Sequence, residues 1–259
     1  MSVDSTATPR RGPGARAARR RGLIRPLEPR DRAAVREIAC RTAFRNMGAA
    51  RMFEDLELHA DYWTAYYTDH YPEDSRVIEQ EGRVIGYFFG CPDHAHFTRV
   101  MARRIVPRVV GKALWRLATR QYKQPQTGRY LRHMLLHGAR EAPRIPYAQY
   151  PATYHCNILR EGYGQGYYTE LVLDYLDRLE ARGITGIHGH ITEPAGSRGV
   201  WHRFAKEVPG VRVAAFDERP TRLFEVVLGE TTPMVNRAWA FSIADYRAAT
   251  TWLRETKGL

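Results

Sequence analysis

The spacing of apolar and polar positions divides the chain into short strands and amphipathic helices. Leu23 to Pro26 reads as an opening strand, and Pro29-Arg30-Asp31 starts a helix that turns Ala34, Val35, Ile38 and Phe44 inward. A second helix is expected over Leu58 to Tyr71, carrying Tyr62, Trp63, Tyr66 and Tyr67. Arg76 to Gln80 and Arg83 to Gly90, separated only by Glu81-Gly82, predict a β-hairpin with a two-residue turn. Tyr154 to Leu159 reads as a further strand. The turn Gly162-Tyr163-Gly164-Gln165-Gly166 then leads into a helix with Val172, Tyr175, Leu176 and Leu179 on one face. Arg182-Gly183 stops that helix, and Ile187 to Ile191 forms the next strand.

Beyond it the pattern predicts a helix over Gly196 to Glu207, strands over Val211 to Phe216 and Pro233 to Phe241, and a last helix capped by Ser242 and containing Tyr246 and Trp252. Periodicity leaves Thr221 to Leu228 open between strand and short helix. No internal repeat is visible.

Residues 97–149 differ from the rest. Val100, Met101, Ile105, Val109, Leu114 and Leu117 fall on one side of a helical pattern, and Arg104, Arg108, Lys112, Arg116 and Arg120 recur every fourth residue on the other. Pro107 and Gly111 are expected to kink or divide this helix. A second helical piece around Gly128 to Gly138 places His133 and His137 one turn apart; with no third ligand suggested nearby, no metal site is expected.

Charge sharpens this division. Of the net charge of +12, residues 1–22 carry +5 (six Arg against Asp4) and residues 97–149 carry +11 (twelve Arg or Lys against Glu141), so the remainder is mildly acidic at −4. Residues 1–22 lack apolar periodicity and read as a disordered basic arm, with a transit peptide or a tail for an anionic partner as alternatives. Apolar content of 44% and charged content of 26% suit a soluble globular protein. No apolar run approaches the roughly 18 residues of a membrane span. Cys40, Cys91 and Cys156 are odd in number and widely spaced, and read as reduced thiols of a cytoplasmic protein.

The candidate chemistry centres on residues 150–191. Glycines at a helix start let backbone N–H groups approach an anion, and the helix dipole favours one there. The combined text Tyr150-Pro151-Ala152, His155, Asn157-Ile158-Leu159, the glycine turn, a helix and then Gly186-Ile187-His188 resembles the GCN5-related N-acetyltransferases (GNAT). The resemblance covers roughly residues 23–242, with 97–149 as a basic helical insertion and 243–259 as a C-terminal helix. It implies an α/β (α+β) fold with a mixed central sheet and flanking helices. It also implies acyl-CoA-dependent N-acyl transfer to a small-molecule or protein amine, without a metal.

In that family a strand splays from its neighbour to admit the pantetheine arm of acetyl-CoA or another acyl-CoA. The family turn reads Gln or Arg, two residues, Gly, one residue, Gly or Ala. One register places Tyr163, Gly166 and Tyr168 on those positions, and another places Glu161, Gly164 and Gly166 there. In either register the N–H groups of Gly164, Gln165, Gly166, Tyr167, Tyr168 and Thr169 are the expected pyrophosphate cradle. Asn157, Ile158, Arg160 and Ser197 are further CoA contacts implied by the resemblance, with Asn157 or Ile158 as the N–H donor to the acyl carbonyl. The family's thiolate-protonating tyrosine is absent, and His202 or Phe204 takes its place depending on the gap. His155 and His190 are the candidate bases, with His202 as the candidate acid. The alternatives are an acyl-CoA binder without turnover and a basic module for nucleic acid or anionic membrane.

Overall fold

A computed structural model describes residues 21–197 and 199–257. The strands β1 (Leu23–Pro26), β2 (Ser75–Gln80), β3 (Arg83–Cys91) and β4 (Thr153–Ile158) form one antiparallel sheet in chain order. The β2–β3 turn is closed by Glu81 and Gly82 at φ 52° and 76°, the left-handed pair that a two-residue hairpin needs. A second antiparallel sheet, in the order β5-β7-β6, contains β5 (Gly186–Pro194), β6 (Ala215–Thr221) and β7 (Met234–Ser242).

Helices cover both faces of the first sheet. On one face, α1 (Arg32–Asn46) brings Val35, Ile38 and Ala39, and α2 (Leu56–Ala65) brings Ala65, against Val77, Tyr87 and Phe89. On the other lie α6 (Tyr167–Glu180) and α9 (Ile243–Lys257). The fully buried Leu171, Val172, Tyr175, Leu176 and Leu179 of α6 meet Ile78, Phe88, Ile187 and Phe241. At roughly 2 kcal/mol per buried side chain, this face joins the two sheets into one core. The helix ends where the sequence predicts, with Gly183 left-handed at φ 70°.

Three helices connect β3 to β4: α3 (His94–Val100), α4 (Val106–Ala118) and α5 (Pro125–Glu141). The division expected at Pro107 and Gly111 falls just before Pro107 and not at Gly111. A wide π turn over Met101–Ile105 precedes α4, so Pro107 falls in its first turn, where no amide hydrogen is required, and Gly111 lies inside an unbroken helix. Nor is the basic stripe uniformly solvated. Arg116 bonds both carboxylate oxygens of Asp55 at 2.6 Å and Glu57 at 2.5 Å, and Lys112 bonds Glu57 at 2.8 Å, which fastens α4 to the start of α2. His133, one turn before His137, contacts Glu141 at 2.9 Å, and that carboxylate also accepts from Thr221.

Arg116→Gln is expected to lower stability by about 3 kcal/mol, read as a reduced urea midpoint at constant slope. The Asp55 side chain is only 5% exposed and would keep a buried carboxylate with its main counter-charge gone.

Other boundaries move for physical reasons. The α1 segment loses helical geometry at Ala43. Phe44 is left-handed at φ 51° and packs between His59, Tyr130 and Phe224 rather than on the inner helix face. α2 starts at Leu56, because Asp55 accepts from the Leu58 N–H as an N-cap, and a π turn over Tyr66–His70 follows it. Val211 and Val213 bury as loop, and β6 begins only at Ala215. Leu223–Leu228 forms α8, which buries Phe224 and Val227 alongside Met52 and Met234, while Val200–Glu207 forms α7. The basic arm lies outside the described residues apart from Arg21 and Gly22. Those two engage Glu170 and the Tyr167 hydroxyl.

Candidate active site

The two sheets meet at one point and then part. Ala152 pairs with Ile187 in a parallel bridge, through Ala152 N–H to Gly186 O at 3.3 Å and His188 N–H to Ala152 O at 2.8 Å. Among the described residues no ladder joins β4 to β5 beyond it, so the two strands are splayed as the resemblance implies. This leaves an unpaired strand edge. The Leu159 N–H bonds Ile85 O at 2.8 Å, so in the alternating antiparallel pattern Asn157 and His155 turn their N–H groups into β3. Ile158 and Cys156 turn theirs into the gap. Of the two residues expected to donate to an acyl carbonyl, Ile158 is the one whose N–H faces the gap.

The glycine turn stands at the end of that edge. Gly162 is required by close approach, since a Cβ there would sit 2.6 Å from Ile158 Cγ2. Gly164 and Gly166 are left-handed at φ 73° and 76°, and Gly166 is the N-cap of α6. The first i→i−4 bond of the helix runs from Glu170 N–H to Gly166 O, so the geometry aims the N–H groups of Tyr167, Tyr168 and Thr169 out of the helix start. The side chains there are occupied otherwise. Gln165 bonds Glu161 O and the Tyr167 hydroxyl, Thr169 bonds Gly166 O, and Arg160 is exposed beside the turn. A pyrophosphate would therefore meet backbone in a frame of left-handed glycines, which fits an anionic diphosphate.

On the α1–α2 side of β4, His155 and Asn157 share one face. The Asn157 amide donates to the Tyr87 hydroxyl at 2.7 Å; His155 Nδ1 lies 3.5 Å from that hydroxyl and Nε2 lies 3.4 Å from the amide. Burial lowers His155 to about 4, so its imidazole is neutral at physiological pH. His59 of α2, also held at about 4 by burial and by His155, forms with Trp63 and His155 a row of rings 6.3 and 5.5 Å apart. Trp63 and Tyr62 are exposed, so this wall opens to solvent.

The opposite face holds a hydroxyl cluster. Tyr154 of β4 bonds Tyr168 of α6 at 2.6 Å and Tyr246 of α9 at 2.5 Å, and Trp201 of α7 donates its Nε1–H to Tyr246 at 2.9 Å. The indole of Trp201 lies over β5, where a Cβ on Gly189 would come within 2.4 Å of it. The cluster thus spans from β4 to β5 across the splay. Burial raises all three phenols, so they stay protonated at neutral pH.

The remaining candidates are elsewhere. His202 packs edge-on against Trp239 at 6.3 Å, one strand further from the splay, and its neighbour Trp201 reaches the cluster instead. His190 lies over Tyr147 at 6.0 Å and contacts His188 at 5.4 Å, without touching His155. Ser197 donates to Glu193 at 2.8 Å, and that carboxylate is bound by the buried Arg237. Tyr87, His59 and the hydroxyls of Tyr154, Tyr168 and Tyr246 were not singled out by sequence. A tyrosine within two residues of a strand histidine and another in the last helix are the faint signals that precede them. Two cavities, of about 370 and 510 Å³, lie along α1, lined by Arg25, Glu79 and Arg83 and by Cys40, Leu56 and Ala60 respectively, away from the splay.

No family model and no curated protein match the sequence. Among solved structures, SsHAT is similar over 84% of this chain and 98% of its own, at 22% identity and a TM-score of 0.52. An N-acetyltransferase from Staphylococcus aureus Mu50 matches 86% of this chain and 98% of its own, at 11% identity and a TM-score of 0.46. The yncA protein of Salmonella typhimurium, solved with acetyl-CoA, matches 85% and 93%, at 15% identity and a TM-score of 0.43. With its splayed β4 and β5, glycine turn and flanking helices, the chain has the fold of the GCN5-related N-acetyltransferases.

Proposed function

We propose that the protein transfers an acetyl or other acyl group from CoA to an amine. The observation that carries this reading is the unpaired β4 edge running into the left-handed glycine turn, with a neutral His155 on the same strand. Gly164 to Thr169 hold the pyrophosphate by backbone, beside Arg160, and the Ile158 N–H bonds the acyl carbonyl oxygen. The acceptor, a small-molecule or protein amine, enters along the Tyr62–Trp63 wall. As the C–N bond forms, His155 takes the amine proton, and the acyl C–S bond breaks to leave the CoA thiolate.

The hydroxyls of the tyrosine cluster donate hydrogen bonds to that sulfur. Because burial holds their protons above the ordinary phenol range, full transfer to a thiolate, whose thiol has a pKa of roughly 8.5, is uphill, and the sulfur gains its proton on release. Tyr246 and Tyr168 occupy the role expected of His202. Free Cys40, Cys91 and Cys156 are in keeping with a reducing cytoplasmic setting, and no helix among the described residues is long and apolar enough to cross a membrane.

A second reading, an acyl-CoA binder without turnover, draws on the same cluster, since the 2.6 Å contact of Tyr154 with Tyr168 closes the floor of the splay. Calorimetric titration with acetyl-CoA, followed by thiol release with a panel of amines, separates the two. Saturable binding with amine-dependent thiol release is expected. Binding with no release for any amine favours the second reading, and absence of binding sinks both.

A further inference from the structure

We propose that the outward faces of α4 and α5 form a docking surface for anionic lipid bilayers, independently of the acyl-transfer chemistry. The inner faces of both helices are already used. Ala113 and Val109 of α4 pack on Phe53 and Leu58, and Tyr130 of α5 joins Met52, Phe224 and Val227. Large apolar side chains nevertheless stand outward: Trp115 is 60% exposed, Leu135 62%, Leu136 56% and Leu114 50%. Isolated exposed leucines are ordinary, but three leucines and a tryptophan on two consecutive helices that share the Phe53 cluster are not a surface that core packing requires.

Charge identifies the occupant. From Phe97 to Arg140 the chain contains no Asp or Glu. Arg108 lies two turns before Trp115 on α4, the exposed Arg104 stands in the π turn just before that helix, and Arg132 lies one turn before Leu135 and Leu136 on α5. Among the described residues none of these three arginines makes an ion pair, in contrast to Arg116 and Lys112, which face α2. A second copy of the same face would set these cations against each other. A nucleic acid would neutralise the arginines and leave the indole and leucines in water. A bilayer with anionic headgroups satisfies both sets at once, as guanidinium groups reach the phosphates and Trp and Leu enter the headgroup boundary. With 13 and 17 residues, α4 and α5 lie on such a surface and do not span it.

The test is co-sedimentation of the full chain with vesicles of phosphatidylcholine alone and of phosphatidylcholine mixed with phosphatidylglycerol. The mixed vesicles should retain the protein and the neutral ones should not. The double variants Trp115→Ser, Leu135→Ser and Arg108→Gln, Arg132→Gln should each weaken retention by about tenfold or more. All variants keep the arginines of the N-terminal arm, so attraction by that arm alone would leave retention unchanged and overturn the proposal. Equal binding to neutral vesicles, or no binding, would do the same. So would retention by duplex DNA, but not by vesicles, that ignores the Trp115→Ser, Leu135→Ser change. As a check independent of those double variants, brominated lipids in mixed vesicles should quench the wild-type tryptophan emission, and Trp115→Phe should abolish most of that quenching.

Discussion

His155→Ala is expected to lower kcat for acyl transfer by about a hundredfold or more while acetyl-CoA affinity stays within about twofold, because a positioned base contributes to the chemical step and not to nucleotide binding. The pH profile distinguishes this role from a structural one. A histidine in water loses its proton near 6.5, whereas burial holds His155 at about 4. The form that accepts a proton is the neutral one, so it is present throughout the range above about 5 and is lost only as pH falls through about 4. The acid limb of kcat/KM should therefore carry no inflection near 6.5. In Tyr87→Phe, where the hydroxyl 3.5 Å from Nδ1 is gone but the burial of His155 is kept, the limb should stay low while kcat falls less than in His155→Ala. An acid limb centred near 6.5, or a wild-type rate in His155→Ala, would assign the base to another group.

Gly166→Val should weaken acetyl-CoA binding by more than about tenfold, measured by calorimetry, since two effects act in the same direction. The residue is the N-cap of α6 at φ 76°, where a β-branched side chain is strained, and its Cβ would stand in the approach to the Tyr167–Thr169 amides. Strain alone would show as a lower melting temperature with intact affinity at low temperature. Gly183→Ala separates the two. It is equally left-handed at φ 70° but sits at the far end of the helix, so it should lose stability without losing affinity. If Gly166→Val binds acetyl-CoA as the wild type does, the pyrophosphate is not held at this turn.

Part of the architecture follows from local order in the chain. The Glu81-Gly82 hairpin, the strand–glycine turn–helix unit around Gly166 and the α6 stop at Gly183 rest on interactions between residues a few positions apart, and those leave a period or a turn residue in the text. The strand that carries His155 is legible in the same way, whereas its place beside a cleft was implied only by the resemblance.

Where the sequence was silent, contacts over long separations decided. Tyr154 meets Tyr168 14 residues away and Tyr246 92 residues away, and no local period encodes a junction of β4, α6 and α9. The resemblance pointed to the α7 position of His202, but packing of Trp201 over Gly189 turned the neighbouring side chain toward the cluster instead. Asp55 and Arg116, 61 residues apart, meet to fasten α4 on α2, a pairing that no local spacing encodes. Phe224 and Val227 settled as a helix because α5 offered them an apolar seat, a choice periodicity left open. The hairpin, the strand–glycine turn–helix unit and the end of α6 were thus determined by the sequence by itself, through patterns that repeat within a turn or two. The burial that keeps His155 neutral, the side of the strand that the Ile158 N–H faces and the hydroxyl cluster were decided only by the tertiary structure, because burial, strand register and convergence exist only once distant segments have packed.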